Sequence, residues 1–456
     1  MNRALVCGLL LLLAGCTVGP NYHRPSATVP PAYRNLPPDQ AANASSLGDE
    51  KWWTIFQDQE LQKLIRTALE KNYDVQIAAS RIVQAQAQVG VTRADQFPTI
   101  GAGPGFTSER IPGFGYNLIQ LQGLLSWDID FWGKYRRATE AARANELASE
   151  WNRKEVLSTI VANVAMAYFQ LRELDLELDI AQRSLKSRQE SLQLTNTLAN
   201  GGATSLLDVR QAEQLVETAA ETIPDTERQI TQQEDLISTL IGDNPHDVPR
   251  GKPLTEQPLP PTIPAGLPSR LLERRPDIRR SEQQLIAANA EIGVARAAFF
   301  PALDLTGVSG GLEGTSFAKL FSSGAGAWLV SAPLVQPIFT AGRLRSNLKL
   351  TEAEENEMVL TYRQTIQQAF RQVSDALIAY QRYRQFREHQ EALTTAAQSA
   401  SRLSELRYKG GATSYLEVLT SETNYFAAEL NLARARLSER LSLVQIYQAL
   451  GGGWDI

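Results

Sequence analysis

Two stretches of this chain run for 67 residues without a glycine or a proline, residues 134–200 and 343–409. As unbroken α-helix, each would reach about 100 Å at 1.5 Å per residue. Helical patterns of such length point to a coiled coil, a membrane span or a helical repeat, and the many charged residues exclude the span. Apolar spacing selects the coiled coil. Leu171, Leu174, Leu178, Ala181, Leu185, Arg188, Leu192, Thr195 and Ala199 alternate by three and four. So do Leu416, Leu419, Thr423, Phe426, Leu430, Ala433, Leu437, Arg440, Val444 and Tyr447. These stripes are packing seams between helices, not sites.

Laid against itself, the chain repeats. Val89–Ala94 with Phe97-Pro98 returns as Ile292–Ala297 with Phe300-Pro301, an offset of 203 residues. Asn200–Val209 returns as Lys409–Val418, and Leu240-Ile241-Gly242 as Ala449-Leu450-Gly451, both at an offset of 209. The six extra residues fall between Pro301 and Gly342. The chain therefore reads as a tandem duplication, 59–242 and 268–451, joined by a proline-rich linker at 243–267. An extended segment, 16–58, precedes the first repeat and a short tail, 452–456, follows the second. Each repeat adds two shorter helical segments to its long helix, 59–96 with 205–241 and 268–299 with 414–450. Pro224 should kink the second of these.

Each repeat also carries two strand-like segments. Residues 117–129 show the clearest pattern, apolar at odd positions from Ile119 to Ile129 and mostly polar between. That alternation over about ten residues suits a transmembrane β-strand. Its companions are 99–108, 302–311 and 326–336. The backbone in lipid demands a closed barrel, and four strands are too few to close one. Two copies would give eight strands and a filled interior; three give twelve and a usable lumen. A homotrimer is expected.

Residues 1–15 read as a cleaved signal peptide: Arg3, an apolar run from Ala4 to Leu13, then small residues. Leu13-Ala14-Gly15-Cys16 has the form of a bacterial lipobox, making Cys16 the lipidated mature N-terminus. Thr17, rather than an aspartate, then favours the outer membrane. Cys7 leaves with the signal, so no internal disulfide can form. The formal charge of −5, with both signs interspersed, argues against a nucleic-acid surface. Three scattered histidines, His23, His246 and His389, and one mature cysteine make a metal cluster improbable. Gly101, Gly103 and Gly105 precede strand-like sequence and lack the P-loop lysine, so they are no phosphate cradle. No cofactor and no catalytic constellation is expected.

These features together resemble the lipoprotein outer-membrane factors, the TolC/OprM-like efflux channels. The resemblance rests on Cys16–Pro25, on Trp52-Trp53 with Phe56 and Asp58, and on Glu273–Ile278 leading to Ala287–Gly293. It also rests on a strand-to-helix corner at Trp127–Lys134, repeated more loosely from Phe339 to Arg343. It covers essentially the whole mature chain. It implies an α+β fold: a trimeric twelve-stranded β-barrel, four strands from each chain, joined to a periplasmic α-barrel of twelve coiled-coil helices. It implies as partners a periplasmic adaptor and an inner-membrane pump of the resistance–nodulation–division type, with outer-membrane lipid around the barrel. The implied activity is passive export of drugs or other toxic compounds.

By the same resemblance the duct is closed at its periplasmic tip, where helices turn at Gly201-Gly202 and Gly410-Gly411, and there the adaptor would dock. Asp208 and Glu417 fall at equivalent places in the two repeats, where related channels hold constricting acids, and Tyr408 matches a tyrosine that ties helices together. Two departures stand out. Thr420 replaces a second acid, and Thr413 replaces a basic partner, so closure should lean more on Leu416. The plainer expectation is that Asp208 and Glu417 favour their helix N-termini. Other functions compatible with the pattern are a type I protein-secretion duct, an autonomous porin and a helical scaffold lipoprotein without a lumen.

Overall fold

The computed structural model describes residues 17–34, 45–258, 263–313, 320 and 326–455. Cys16 and the signal segment lie outside the described residues. Two compact units are present. The first comprises Met1–Ala27, Ser80–Trp151 and Arg279–Thr365; the second comprises Thr28–Ala79, Asn152–Ile278 and Ile366–Ile456. Nine α-helices occur among the described residues: α1 (Trp52–Ile55), α2 (Gln59–Lys71), α3 (Tyr73–Ala94), α4 (Lys134–Asn200), α5 (Leu206–Leu240), α6 (Pro268–Arg274), α7 (Pro276–Ala297), α8 (Arg343–Lys409) and α9 (Tyr415–Ala449). The strands are β1 (Thr99–Ile111), β2 (Phe114–Asp128), β3 (Ala302–Glu313), β4 (Gly326–Ser331) and β5 (Leu334–Val335). The long helices α4 and α8 fill the stretches that lack glycine and proline. No described helix is long and apolar enough to cross a membrane.

In the first unit the strands form one antiparallel sheet in the order β1-β2-β3-β4, with β5 also on β3. The fourth expected strand is thus split. The register is nevertheless continuous: Thr306 faces Ser331 and Ala302 faces Val335. Asp304 N–H still donates to Pro333 O, at 3.3 Å. Pro333 has no amide to return the bond, which interrupts the ladder there. β1 and β4 are the free edges. The apolar odd-numbered side chains of β2 are half-buried, while Ile100, Phe106, Trp328, Leu329 and Val330 are exposed. The N-terminal residues strap onto this unit. Val18 N–H donates to Trp132 O at 3.0 Å, Arg137 donates to Asn21 Oδ1 at 2.9 Å, and Arg24 grips buried Glu282 at 2.6 and 2.8 Å. Thr17 packs on Gly133, leaving no room there for a Cβ.

Two helical segments expected to be continuous are each broken in two. Asn72 leaves the helix and caps α3, accepting from Asp74 N–H at 2.8 Å and Val75 N–H at 3.3 Å. Its Nδ2 donates to Leu240 O at 2.8 Å. Arg275 is extended, as a residue before proline prefers, and Pro276 starts α7. α5 runs on as one helix through Pro224.

In the second unit Asp58 is buried, only 1 % exposed. It caps α2 through Glu60 N–H at 2.9 Å and Leu61 N–H at 3.4 Å. Its other oxygen accepts from Tyr168 Oη (2.9 Å), Lys252 N–H (2.8 Å) and Gln257 Nε2 (2.6 Å). Burial opposes its charge, but those donors outweigh burial and hold the carboxyl below the usual aspartate range. Trp52, Leu61, Ile65, Leu171, Ile237 and Ile446 are also fully buried in this unit.

Candidate functional site: the paired helix turns

Each long helix ends in the same turn. After α4, Gly202 N–H donates to Ala199 O at 2.9 Å and Ala203 N–H to Leu198 O at 2.8 Å; after α8, Gly411 donates to Tyr408 and Ala412 to Arg407 at the same two distances. This is the Schellman arrangement, which satisfies helix-end carbonyls and needs a left-handed residue. Gly202 (φ +72°) and Gly411 (φ +69°) supply it. A Cβ on either would meet nothing within 4 Å. A larger residue there would strain the backbone and project into open space. Gly201 and Gly410 precede them on the same exposed tips.

The two acids are held differently. Asp208 closes a capping box with Ser205: its amide donates to Ser205 Oγ at 3.3 Å, and its carboxylate accepts from the Ser205 amide at 3.2 Å. Thr204 Oγ1 donates to the same carboxylate. Glu417 makes no such box, because Ser414 gives no side-chain cap. It is exposed, accepts from Thr413 Oγ1, and pairs with Arg407 at 3.3 Å. Arg407 lies near the end of α8, so this ion pair links α8 to α9. Being solvent-exposed, that pair is worth little by itself. Leu416 is exposed, and Thr420 turns its hydroxyl back onto Leu416 O at 2.8 Å. Leu416, Glu417 and Thr420 line an open groove of about 880 Å³ with Leu393, Ala397 and Ala400 of α8.

Tyr408 joins the two repeats. Its hydroxyl donates to Thr204 Oγ1 at 3.4 Å, and its ring meets Tyr415 edge-on with centroids 5.2 Å apart. Tyr415, not singled out in the sequence, is the larger anchor. It is 1 % exposed among Ala212, Leu215 and Val418, with its hydroxyl 3.4 Å from Ser191 Oγ. Burial pushes its phenol up to about 12. Its counterpart in the first repeat, Leu206, is 67 % exposed. That change of residue type at one repeat position was the available signal. Further from the tip, Arg188 is buried over the Phe426 ring at 4.7 Å and donates to Leu215 O at 2.8 Å. Burial raises the nearby Glu422, and Arg188 partly offsets it. Deeper still, burial first and Glu177 second raise Glu173, while Arg434 pairs with Glu177 at 2.9 Å.

A duplicated chain that combines one open antiparallel sheet with helix pairs ending in glycine turns defines an outer-membrane channel subunit. Residues 64–243 and 267–452 match the outer membrane efflux protein family model, once in each repeat. The chain belongs to the outer membrane efflux protein family. It is 36 % identical to a probable efflux pump outer membrane protein, TtgC of Pseudomonas putida, over 97 % of this chain and 94 % of that one. It is 34 % identical to the cation efflux system protein CusC of Escherichia coli, over 98 % and 97 %. The open-state structure of the MtrE outer membrane channel of Neisseria gonorrhoeae superposes with a TM-score of 0.89 at 32 % identity, covering 96 % of this chain and 99 % of that one. The protein is an outer-membrane efflux channel.

Proposed function

We propose that three copies of this chain form one duct, which carries drugs or other small toxic compounds from an inner-membrane pump across the outer membrane. The observation that carries the reading is the sheet. β1 and β4 are both free edges, and unpaired backbone cannot persist in lipid, so further copies must complete a barrel. Twelve strands leave a lumen where eight would be filled by side chains. The periplasmic adaptor docks on the Gly201-Gly202 and Gly410-Gly411 turns, and a pump of the resistance–nodulation–division type supplies the energy. Asp208, Tyr408, Leu416 and Glu417 form the resting gate, with Tyr408 holding the two repeats in register. Cys16 carries the lipid anchor, and mass spectrometry of the mature N-terminus reads this directly: an unmodified terminus would end it.

Single-channel recording in a planar bilayer tests the duct. Low conductance that rises when the tip is disrupted is expected; a constitutively open pore would point to a porin, and silence under all conditions to a scaffold. A type I secretion role would instead appear as loss of a secreted protein, not of compound tolerance, when the chain is deleted.

A further inference from the structure

In the second unit, α4 buries two carboxyls one helical turn apart. Glu173 is 2 % exposed and Glu177 6 %. Gln170 Nε2 donates to Glu173 Oε2 at 3.3 Å, while Glu173 Oε1 is buried and receives no donor among the described residues. The two carboxyls stand within hydrogen-bond reach of each other. Two carboxylates cannot make that bond, because neither has a hydrogen to give, so one of them must carry a proton. Arg434 Nε of α9 pairs with Glu177 at 2.9 Å, which leaves the proton to Glu173. With that proton the cluster is neutral. Without it, two buried negative charges share one guanidinium.

The neighbouring charges are engaged elsewhere. On α4, Asp175 pairs with Arg172 and Arg250, and Asp179 with Arg183. On α9, Arg436 and Glu439 are held by Glu391 and Arg387 of α8, and Arg440 donates to Gln257 O. α5 runs past the same stretch, its Gln233 donating to Ala167 O; there it buries the uncharged Thr226 and Ile230, while Asp225, Glu227 and Arg228 are exposed. Burial first and Glu177 second therefore raise the Glu173 carboxyl, and Arg434 offsets them only in part. Packing does not demand two acids here. At the repeat offset of 209, Glu173 answers to Arg382, Glu177 to Phe386 and Arg434 to Asp225. The same helix positions accept other residue types, yet the α4–α9 seam keeps a burial that is costly for charged groups.

We infer that Glu173 and Glu177 form a proton-held latch between α4 and α9: one proton on the pair keeps the two helices closed on each other, and its loss loosens α9. α9 begins at Tyr415, so Leu416 and Glu417 ride on the helix that the latch holds. This rests on the duct and gate proposed above and adds a trigger to them. The proton balance is direct. Glu173 gives its proton to water, and the pair is left with one uncompensated negative charge out of reach of solvent. Moving α9 away admits water to both carboxylates and relieves the repulsion. The closed seam thus binds the proton more tightly than an open, hydrated one, so rising pH favours opening and falling pH favours closure. Each pK unit that separates the two states changes the open fraction about tenfold.

Single-channel recording of the full-length lipidated protein between pH 6 and pH 9 tests the latch, with Leu416→Ala as the leak control. The resting open fraction of the unsubstituted protein should rise about tenfold across that range, the change that one pK unit produces. Glu173→Gln keeps the size of the side chain and still donates to Glu177 through its amide, as the protonated acid does; its open fraction should stay at the low-pH level throughout. Glu177→Gln removes the like charge that raises Glu173 and should move the step to lower pH, which a merely structural role would not do. A step that persists unchanged in Glu173→Gln, or that stays in place in Glu177→Gln, overturns the latch. So does a pH-independent resting channel whose Leu416→Ala variant leaks, and that result leaves the duct standing. Silence from every variant, Leu416→Ala included, overturns the duct itself and the latch with it.

Discussion

Replacing Asp58 by asparagine keeps its size and removes its charge, and the contacts around the side chain set the cost. One carboxylate oxygen receives the α2 amides of Glu60 and Leu61, and asparagine Oδ1 can still serve them. The other position becomes an NH2 group facing three donors: Tyr168 Oη, Lys252 N–H and Gln257 Nε2. The tyrosine hydroxyl can rotate, and Gln257 keeps Lys252 O as a second acceptor at 2.9 Å. At least the Lys252 amide is stranded, and the Gln257 bond is lost. A buried unsatisfied donor costs about 1–3 kcal/mol, more where a charged acceptor is lost. Asp58→Asn should therefore cost about 2–5 kcal/mol and lower the thermal midpoint of the full-length protein in detergent, followed by circular dichroism. The pH dependence has a definite sign. Because the folded-state carboxyl is held below its ordinary value, its stabilisation is present above the unfolded aspartate pKa, about 3.9, and is lost as pH falls through the folded value. The gap between wild type and variant should thus be full at pH 7 and shrink on acidification. Equal midpoints at pH 7, or a gap that widens in acid, would refute the reasoning.

Three further outcomes are expected. Glu417→Ala should lower cation selectivity in a bilayer and Leu416→Ala should raise leak current; if neither moves, the gate lies elsewhere along the duct. Gly202→Trp or Gly411→Trp should cut export in a compound-tolerance assay while expression and trimer content hold, since the added side chain meets open space; full export by both variants would leave these tips as turns only. Glu173 is raised by burial and by Glu177, so its stabilising contribution is complete below the ordinary glutamate pKa and is lost as pH rises through the folded value. Glu173→Gln should flatten the decline in thermal midpoint on going alkaline, and an unchanged slope would place that titration on another group.

The extent of α4 and α8, the duplication and the sheet-forming segments are legible in the sequence because each is a local property of the chain. Helical period, strand alternation and the points where glycine or proline interrupts them depend on neighbours a few residues away. Gly202 and Gly411 are of this kind: a helix reversing direction needs a left-handed residue, whatever surrounds it. Asn72 and Arg275 lie at the limit. A capping asparagine and a residue before proline are visible, but whether they break a helix depends on what the freed groups meet, and Leu240 O decides it for Asn72. Pro333 splits a strand because its missing amide points toward β3, which only the register reveals.

The tip shows the division most clearly. Sequence placed Asp208 and Glu417 at one position of two equal repeats and left both equally fit to cap a helix or face a lumen. Packing made them unequal: Asp208 is bound into a capping box, while Glu417 is exposed and paired with Arg407, a residue ten positions earlier on another helix. Likewise Tyr415 is buried between the repeats while Leu206, its counterpart, is exposed. The same local rules act on both repeats, and the local difference of Tyr415 against Leu206 does not say which surface will cover either residue. The difference arises from which surfaces the chain has already covered by folding onto itself, and that is a property of the tertiary structure alone.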